Sequence, residues 1–173
     1  MTQNYFELFG LAPNFNLDLV TFETNYRKIQ STSHPDRFVA ATAAEKLSSM
    51  QLATLANEAY QTLKNPAKRA KYLLELQNIN SISETNTAMP ADFLMQQMEW
   101  RETIEEAKAD KDIACLEKLH HEIQDEANTL QASLIDYLDI KKDYSTGTDV
   151  TRKLIFLDKV CDDINKAIEQ LDS

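Results

Sequence analysis

The sequence predicts an all-α protein with two domains, an N-terminal helical hairpin and a C-terminal antiparallel three-helix bundle. Gly10 and Gly147 are the only glycines among 173 residues, and there are four prolines. Tight β-hairpins and phosphate-binding loops therefore have almost no glycine to be built from. Apolar residues recur at spacings of three and four along much of the chain, which is the pattern of amphipathic helices. Both observations favour helices throughout.

Cysteine content and apolar runs limit the class of protein further. Cys115 and Cys161 are far apart in the sequence, and no CxxC pair occurs, so neither a disulfide framework nor a zinc ribbon is expected. We expect both thiols to be reduced and to lie in helices. The first ten residues, MTQNYFELFG, contain no basic signal region, and no window approaches the ~18 apolar residues of a membrane span. These features predict a cytoplasmic protein.

Charge is distributed unevenly between the two halves. Residues 1–77 carry eight Lys/Arg and seven Asp/Glu, a net charge of +1, whereas residues 78–173 carry ten and twenty-one, a net charge of −11. Nucleic-acid binding needs clustered positive charge, so no nucleic acid is expected as a partner. The acidic second half predicts basic protein partners.

The first domain is predicted to span residues 1–77. A short apolar segment near Tyr5 precedes a helix that can begin at Asn16 or Asp18, since both residue types are good N-caps. This helix must end before Pro35, because proline disfavours helical geometry in the residue that precedes it. Its predicted apolar face consists of Leu19, Phe22, Tyr26 and Ile29.

A third and a fourth helix complete this domain. The third is predicted from about Thr42 to Leu63, where Asn65 and Pro66 end it, and the fourth, AKRAKYLLELQ, extends to about Gln77. The predicted apolar face of the third helix consists of Leu52, Leu55, Ala56, Ala59, Tyr60 and Leu63.

The second domain is predicted over residues 91–173, after a polar linker at 78–90 that is rich in Asn, Ser and Thr. A helix at about 91–109 is followed by two long helices, with a turn at Ser145–Gly147 between them. Their apolar seams alternate strictly in steps of three and four, as in coiled coils and helical bundles. The first seam consists of Ile113, Leu116, His120, Ile123, Ala127, Leu130, Leu134 and Tyr137. The second consists of Val150, Leu154, Leu157, Cys161, Ile164, Ile168 and Leu171.

The stretch STSHPDRF, residues 31–38, identifies the first domain. An HPD tripeptide stands eight residues after the tyrosine of YRK, and LANEAYQTLKNPAKRAKYL follows it. The combination resembles the J-domain family over about residues 3–77. The resemblance implies a protein that docks on a DnaK-class chaperone and stimulates its ATP hydrolysis. We call the implied docking residues the HPD surface, which consists of Arg27, Lys28, His34, Pro35, Asp36 and Arg37.

Two other interpretations of this tripeptide exist. Asp36 could simply cap the next helix, which would make the loop a helix-ending turn. His34 and Asp36 could instead act as a general base and its orienting acid. The sequence offers that pair no recognisable nucleophile, no glycine-built oxyanion loop and no metal cluster. We therefore expect a docking module and no enzyme, with no catalytic residues, no cofactor and no metal site.

The whole chain is similar to the HscB family, the J-domain co-chaperones of iron-sulfur cluster biogenesis. The similarity rests on YFELFGL near the start, on the acidic bundle that follows the J-domain directly, and on TRKLIFLDK near the end. It implies that the J-domain serves the specialised chaperone HscA and that the bundle presents the scaffold IscU to it. The family match implies a set of client-binding residues, which we call the client surface: Leu94, Met95, Met98, Glu99, Glu102, Glu106 and Phe156.

The pattern of apolar residues also indicates, apart from the family match, that some of these side chains lie outside the core. The helix at 91–109 has more apolar residues than one core face can use, since Phe93, Trp100, Ile104 and Ala107 already form a stripe. Phe156 lies roughly 100° off the apolar seam of its own helix. Three alternatives remain: these residues complete a wide core beside a solvated acidic face, the bundle mediates self-association, or the J-domain serves another client. We expect a monomer.

Overall fold

The computed structural model describes residues 3–82 and 89–173, and every regular element within these ranges is helical. The chain forms two compact units, and the boundary between them lies at Leu73–Leu74. The predicted all-α fold is confirmed. Within the described ranges, no helix has the length and apolar content needed to cross a bilayer.

Five helices begin within the described residues of the first unit. Asp18 caps the helix that begins at Leu19, because its side chain accepts a hydrogen bond from the backbone N–H of Thr21. Asp18 was one of the two predicted start sites of this helix. The helices are α1 (Tyr5–Leu8), α2 (Leu19–Thr32), a 3-10 helix (Pro35–Phe38), α3 (Ala43–Lys64) and α4 (Pro66–Leu76).

Small residues on α3 allow α2 and α3 to pack closely. Ala56, Ala59 and Leu63 are almost fully buried, and the ring of Tyr60 stacks on that of Tyr26 with the centroids 3.9 Å apart. The predicted apolar faces were wrong at three positions. These are Leu19, 58% exposed, and Leu52 and Leu55, 37% and 39% exposed. Aromatic rings and alanines already fill the seam, so these leucines lie outside it.

A buried arginine links three parts of the first unit. Arg69 is 7% exposed, and its guanidinium donates to the carbonyls of Phe15 at 2.9 Å and Leu63 at 2.8 Å. It also lies over the ring of Phe15, 4.6 Å from the centroid. A buried charge needs such partners. This role of Arg69 was not predicted from the sequence.

The second unit contains the three-helix bundle. Its first helix, α5, covers Ala91–Ala109, in agreement with the predicted range. It is followed by α6 (Ile113–Leu134), a π-helical turn (Ile135–Ile140) and α7 (Tyr144–Asp172). The predicted core stripe on α5 is confirmed, since Phe93, Trp100 and Ala107 are buried. Leu119 on α6 is also buried, although the strict heptad seam did not include it.

The predicted turn at Ser145–Gly147 was wrong, because these residues lie in the first turn of α7. The chain reverses at 141–143 instead, where Lys142 adopts a positive φ of 55° and Asp143 caps α7 by accepting from the N–H of Thr146. Gly147 is buried. A Cβ there would lie 2.5 Å from Cδ2 of Leu138, so glycine permits the close approach of the π-helical turn.

Part of the predicted linker at 78–90 is packed against α7. Ser81 is fully buried, and its carbonyl accepts a 2.8 Å hydrogen bond from Nε of Arg152, which is itself 8% exposed. Residues 83–88 lie outside the described residues. The predicted domain limits at residues 77 and 91 stay predictions.

Candidate functional site

The HPD surface includes the short loop between α2 and α3, and hydrogen bonds at Ser33 hold the start of this loop in place. The backbone N–H and the hydroxyl of Ser33 both donate to the carbonyl of Ile29, at 2.9 and 2.6 Å. The carbonyl of Ser33 in turn accepts a 2.8 Å hydrogen bond from the hydroxyl of Ser49 on α3, and both serines are buried. Such a bond is costly to lose, because the carbonyl would be left without a partner. The loop therefore starts from a point held on α3.

Pro35 and Asp36 of the HPD tripeptide lie in the first turn of the 3-10 helix. His34 precedes it with an extended backbone, φ −62° and ψ 135°, as a residue before proline prefers. Nδ1 of His34 accepts the backbone N–H of Asp36 at 3.2 Å. The same nitrogen lies 3.6 Å from the carboxylate of Asp36, a contact that is an ion pair only when the ring is protonated. Nδ1 is the acceptor in this hydrogen bond, which leaves Nε2 as the ring nitrogen that can donate to a partner.

All six residues of the HPD surface are exposed. The Asp36 side chain is 89% exposed, so its carboxylate is available to a partner. Arg27 and Lys28 lie on the exposed side of α2, and Arg37 lies in the 3-10 helix with its guanidinium 3.5 Å from the hydroxyl of Ser31. A cavity of about 280 Å³ beside the loop is lined by Tyr26, Gln30, Ser33, His34, Pro35, Ala53, Ala56 and Asn57.

The client surface lies on the second unit and exposes large apolar side chains. Leu94, Met95 and Met98 on α5 are 45%, 63% and 66% exposed. Exposed apolar side chains that cluster on one face are typical of binding sites, and methionine adapts to irregular partner surfaces. The opposite face of the same helix is buried through Phe93 and Trp100. The apolar surplus predicted from the sequence of α5 is therefore outside the core.

An acidic row continues this surface along α5. Glu99, Glu102 and Glu106 are exposed, and none of them forms an ion pair within the described residues. Neighbouring Glu105, by contrast, lies 3.6 Å from the Lys108 ammonium. Three carboxylates without a cation of their own favour a basic partner.

Phe156 joins the client surface from α7. Its ring contacts that of Phe93 edge-on, with the centroids 6.2 Å apart and the planes at 61°, and the side chain is half-buried. Phe156 therefore lies at the edge of the core, as its offset from the seam predicted. One side of the ring is packed and the other is accessible.

The remaining chemistry-bearing residues form no second centre in the part of the chain that is described. No group of three or more His, Cys, Asp or Glu side chains within residues 3–82 and 89–173 is arranged to hold a metal ion. His120 is half-buried on α6, and His121 lies 3.5 Å from Asp125 on the exposed side. Burial and then the nearby carboxylate of Asp158 raise the pKa of the Cys161 thiol to about 11.

Comparisons with known proteins agree with this architecture. Residues 89–165 match the family model described as the HSCB C-terminal oligomerisation domain. The chain is 46% identical over 99% of its length to the "Co-chaperone protein HscB homolog" of Burkholderia thailandensis, covering 98% of that protein.

Two solved structures are similar over nearly the whole chain. The chaperone HscB from Vibrio cholerae is 36% identical with a TM-score of 0.81, covering 98% of this chain and 99% of that one. The human co-chaperone HscB is 26% identical with a TM-score of 0.84, covering 95% of this chain and 81% of that one.

A hairpin with an exposed HPD loop, followed by a three-helix bundle, defines a J-domain co-chaperone. Within that class, identity above 40% over the full length decides the family. The chain belongs to the HscB family of co-chaperones.

Proposed function

We propose that this protein stimulates ATP hydrolysis by a DnaK-class chaperone of the HscA type and delivers an IscU-type iron-sulfur scaffold to it. The observation that carries the proposal is the pairing of two exposed surfaces on one chain, an HPD loop on the first unit and an apolar, acidic face on the second. The protein acts as an adaptor. We expect it to hold no cofactor and to catalyse no reaction of its own.

The HPD surface supports the first half of the proposal. A loop that is already held on α3 by the Ser49 hydrogen bond loses little entropy on binding. The exposed carboxylate of Asp36 can accept a charge-assisted bidentate pair from an arginine of the chaperone. Arg27, Lys28 and Arg37 add positive charge for an acidic region of the same partner.

The client surface supports the second half. Leu94, Met98 and Phe156 offer accessible apolar area, and the acidic row selects a client with basic residues at its rim. Because one chain carries both surfaces, a bound client is held at high effective concentration beside the chaperone.

Single-turnover ATP hydrolysis by an HscA-type chaperone tests the proposal. This protein and an IscU-type scaffold are added separately and together. Synergy between the two additions is the expected result. Stimulation that does not depend on the scaffold would leave the J-domain role in place and assign the bundle to another client. The absence of any stimulation would contradict the proposal.

A second candidate function is self-association through the bundle. The description of the matching family model as an oligomerisation domain favours it, as does the exposed apolar patch on α5. Light scattering separates the two. A monomer of 19.8 kDa is expected from the delivery role, whereas a mass twice as large would favour self-association.

A further inference from the structure

A groove with an apolar floor lies between α5 and α7 in the second unit. Its volume is about 390 Å³. The floor consists of Trp100, Ile104, Phe156, Val160 and Ala167. The other eight lining residues are polar or charged, so the charge of a partner decides how well it fits this groove.

The rim of this groove is basic, in contrast to the rest of the unit. Four cations line it, namely Arg101, Lys108, Lys159 and Lys166, against two acids, Glu105 and Asp163. Residues 78–173 contain ten Lys/Arg and twenty-one Asp/Glu. Four of the ten cations are therefore gathered at one place, with only two of the twenty-one acids. When Asp162, which lies 3.1 Å from Lys166, is counted as well, the local charge is +1, in a region whose net charge is −11.

Two of the four cations form no ion pair within the described part of the chain. Lys108 lies 3.6 Å from Glu105, and Lys166 lies 3.1 Å from Asp162. Arg101 and Lys159 are exposed and form no ion pair within residues 3–82 and 89–173. Their positive charges at the edge of the groove are therefore available to a partner.

We propose that this groove binds an acidic segment of the same client protein that occupies the client surface. The inference rests on the proposed function, and Phe156 connects the two regions because it belongs to the client surface and to the groove floor. An apolar side chain of the segment enters between Trp100 and Phe156. Arg101 pairs with a carboxylate beside it in a bidentate manner, and Lys159 pairs with another carboxylate as a point charge.

The two adjacent surfaces then carry opposite charge. Glu99, Glu102 and Glu106 select basic residues of the client, whereas Arg101 and Lys159 select acidic ones. A client with both kinds of residue binds in one orientation only, because the reversed orientation would oppose like charges. The groove therefore sets the orientation of the client, in addition to its affinity.

A matched pair of charge reversals tests this proposal. Lys159→Glu lies at the groove, and Lys118→Glu makes the same charge change at an exposed position of α6 that is also without an ion pair in the described part of the chain. Affinity for an IscU-type scaffold is measured by calorimetry at two salt concentrations. We expect Lys159→Glu to weaken binding roughly three- to ten-fold more than Lys118→Glu at low salt, and the difference to shrink at high salt.

The variant Leu94→Ala distinguishes failure of this inference from failure of the proposed function. Equal affinities of Lys159→Glu and Lys118→Glu, together with weaker binding by Leu94→Ala, would overturn the groove and leave the client role intact. A wild-type protein that does not bind the scaffold would overturn both.

Zero-length carbodiimide coupling gives a second readout with the wild-type protein. A cross-link from the Lys159 amine to a carboxylate of the scaffold supports the groove, and cross-links confined to lysines elsewhere contradict it.

Discussion

The HPD surface and the client surface differ in the side chains that they expose and in the structure that holds them. The HPD surface is polar, and its central residues lie in a short turn that a buried hydrogen bond from Ser49 fixes to α3. The client surface is apolar at its centre and lies on a regular helix whose other face forms the bundle core. The HPD surface depends on the geometry of its loop. The client surface depends on which side chains of α5 remain outside the bundle core. Substitutions should therefore act through charge and position in the first, and through lost apolar area in the second.

The largest expected effect comes from Asp36→Asn, which tests the HPD surface by charge alone. The amide has the shape of the carboxylate but cannot form the charge-assisted pair, so we expect stimulation of the HscA-type ATPase to be abolished. The side chain is 89% exposed, so folding should not change. Single-turnover hydrolysis measures the effect.

Client binding by the same variant is the control. Because the HPD surface and the client surface lie on different units, Asp36→Asn should bind the scaffold with wild-type affinity. Loss of both activities would indicate misfolding. Retention of full stimulation would exclude Asp36 from the docking role.

An intermediate effect is expected when apolar area is removed from the client surface. Leu94→Ala and Phe156→Ala should each weaken binding of the scaffold by roughly 1 to 4 kcal/mol, the range of interface hot spots. ATPase stimulation without client should stay unchanged. Titration calorimetry gives the affinities, and Leu47→Ala is the matched control, since Leu47 is also exposed, at 57% against 45% for Leu94, but lies in the first unit. Unchanged affinity would make Leu94 and Phe156 ordinary surface residues.

The two surfaces also differ in how far the sequence predicts them. The exposed apolar side of α5 is predictable from the number of apolar residues in that helix. Because Phe93 and Trp100 already form a core stripe, Leu94 and Met98 are expected outside the core. The HPD loop is recognisable from its tripeptide and its distance from Tyr26. The Ser33–Ser49 hydrogen bond that holds it is not predictable, since serine at either position gives no periodic signal.

The burial of two arginines is also not predictable from the sequence. Arg69 and Arg152 are as polar in sequence as any exposed cation, and only the carbonyls of Phe15, Leu63 and Ser81 show why they are buried. The carbonyls of Phe15 and Ser81 are remote in the sequence from the arginines that they bind. The carbonyl of Leu63 lies at the end of α3. The start of α7 at Tyr144 was missed for a related reason, because Gly147 serves close packing against Leu138 and not a turn.

A smaller effect is expected from Ser49→Ala, which tests whether loop geometry matters to the HPD surface. The substitution leaves the buried carbonyl of Ser33 without its 2.8 Å partner, at a cost of roughly 1 to 3 kcal/mol in the free energy of unfolding. We expect ATPase stimulation to fall several-fold while scaffold binding persists. Ser48→Ala is the control, because Ser48 is exposed on the same helix. A stable variant with full stimulation would contradict the role assigned to this bond.

The scaffold is expected to have no effect on the reactivity of Cys161, which tests the limits of the client surface on α7. Cys161 lies five residues beyond Phe156, about 140° around a helix with 3.6 residues per turn, so a client bound at Phe156 should leave it uncovered. Burial and Asp158 raise the pKa of its thiol from 9.0 to about 11. The thiol is therefore neutral below that pH, and the reactive thiolate increases as pH rises toward it.

Alkylation of a Cys115→Ala variant isolates this thiol. At pH 8 the folded protein should react roughly ten-fold more slowly than the same protein in denaturant, because the scarcity of thiolate outweighs the higher nucleophilicity that accompanies a higher pKa. The rate should climb steadily from pH 8 to pH 10, and a saturating IscU-type scaffold should not change it. Protection by the scaffold would mean that the client also contacts α7 outside the side of the helix that carries Phe156 and Lys159.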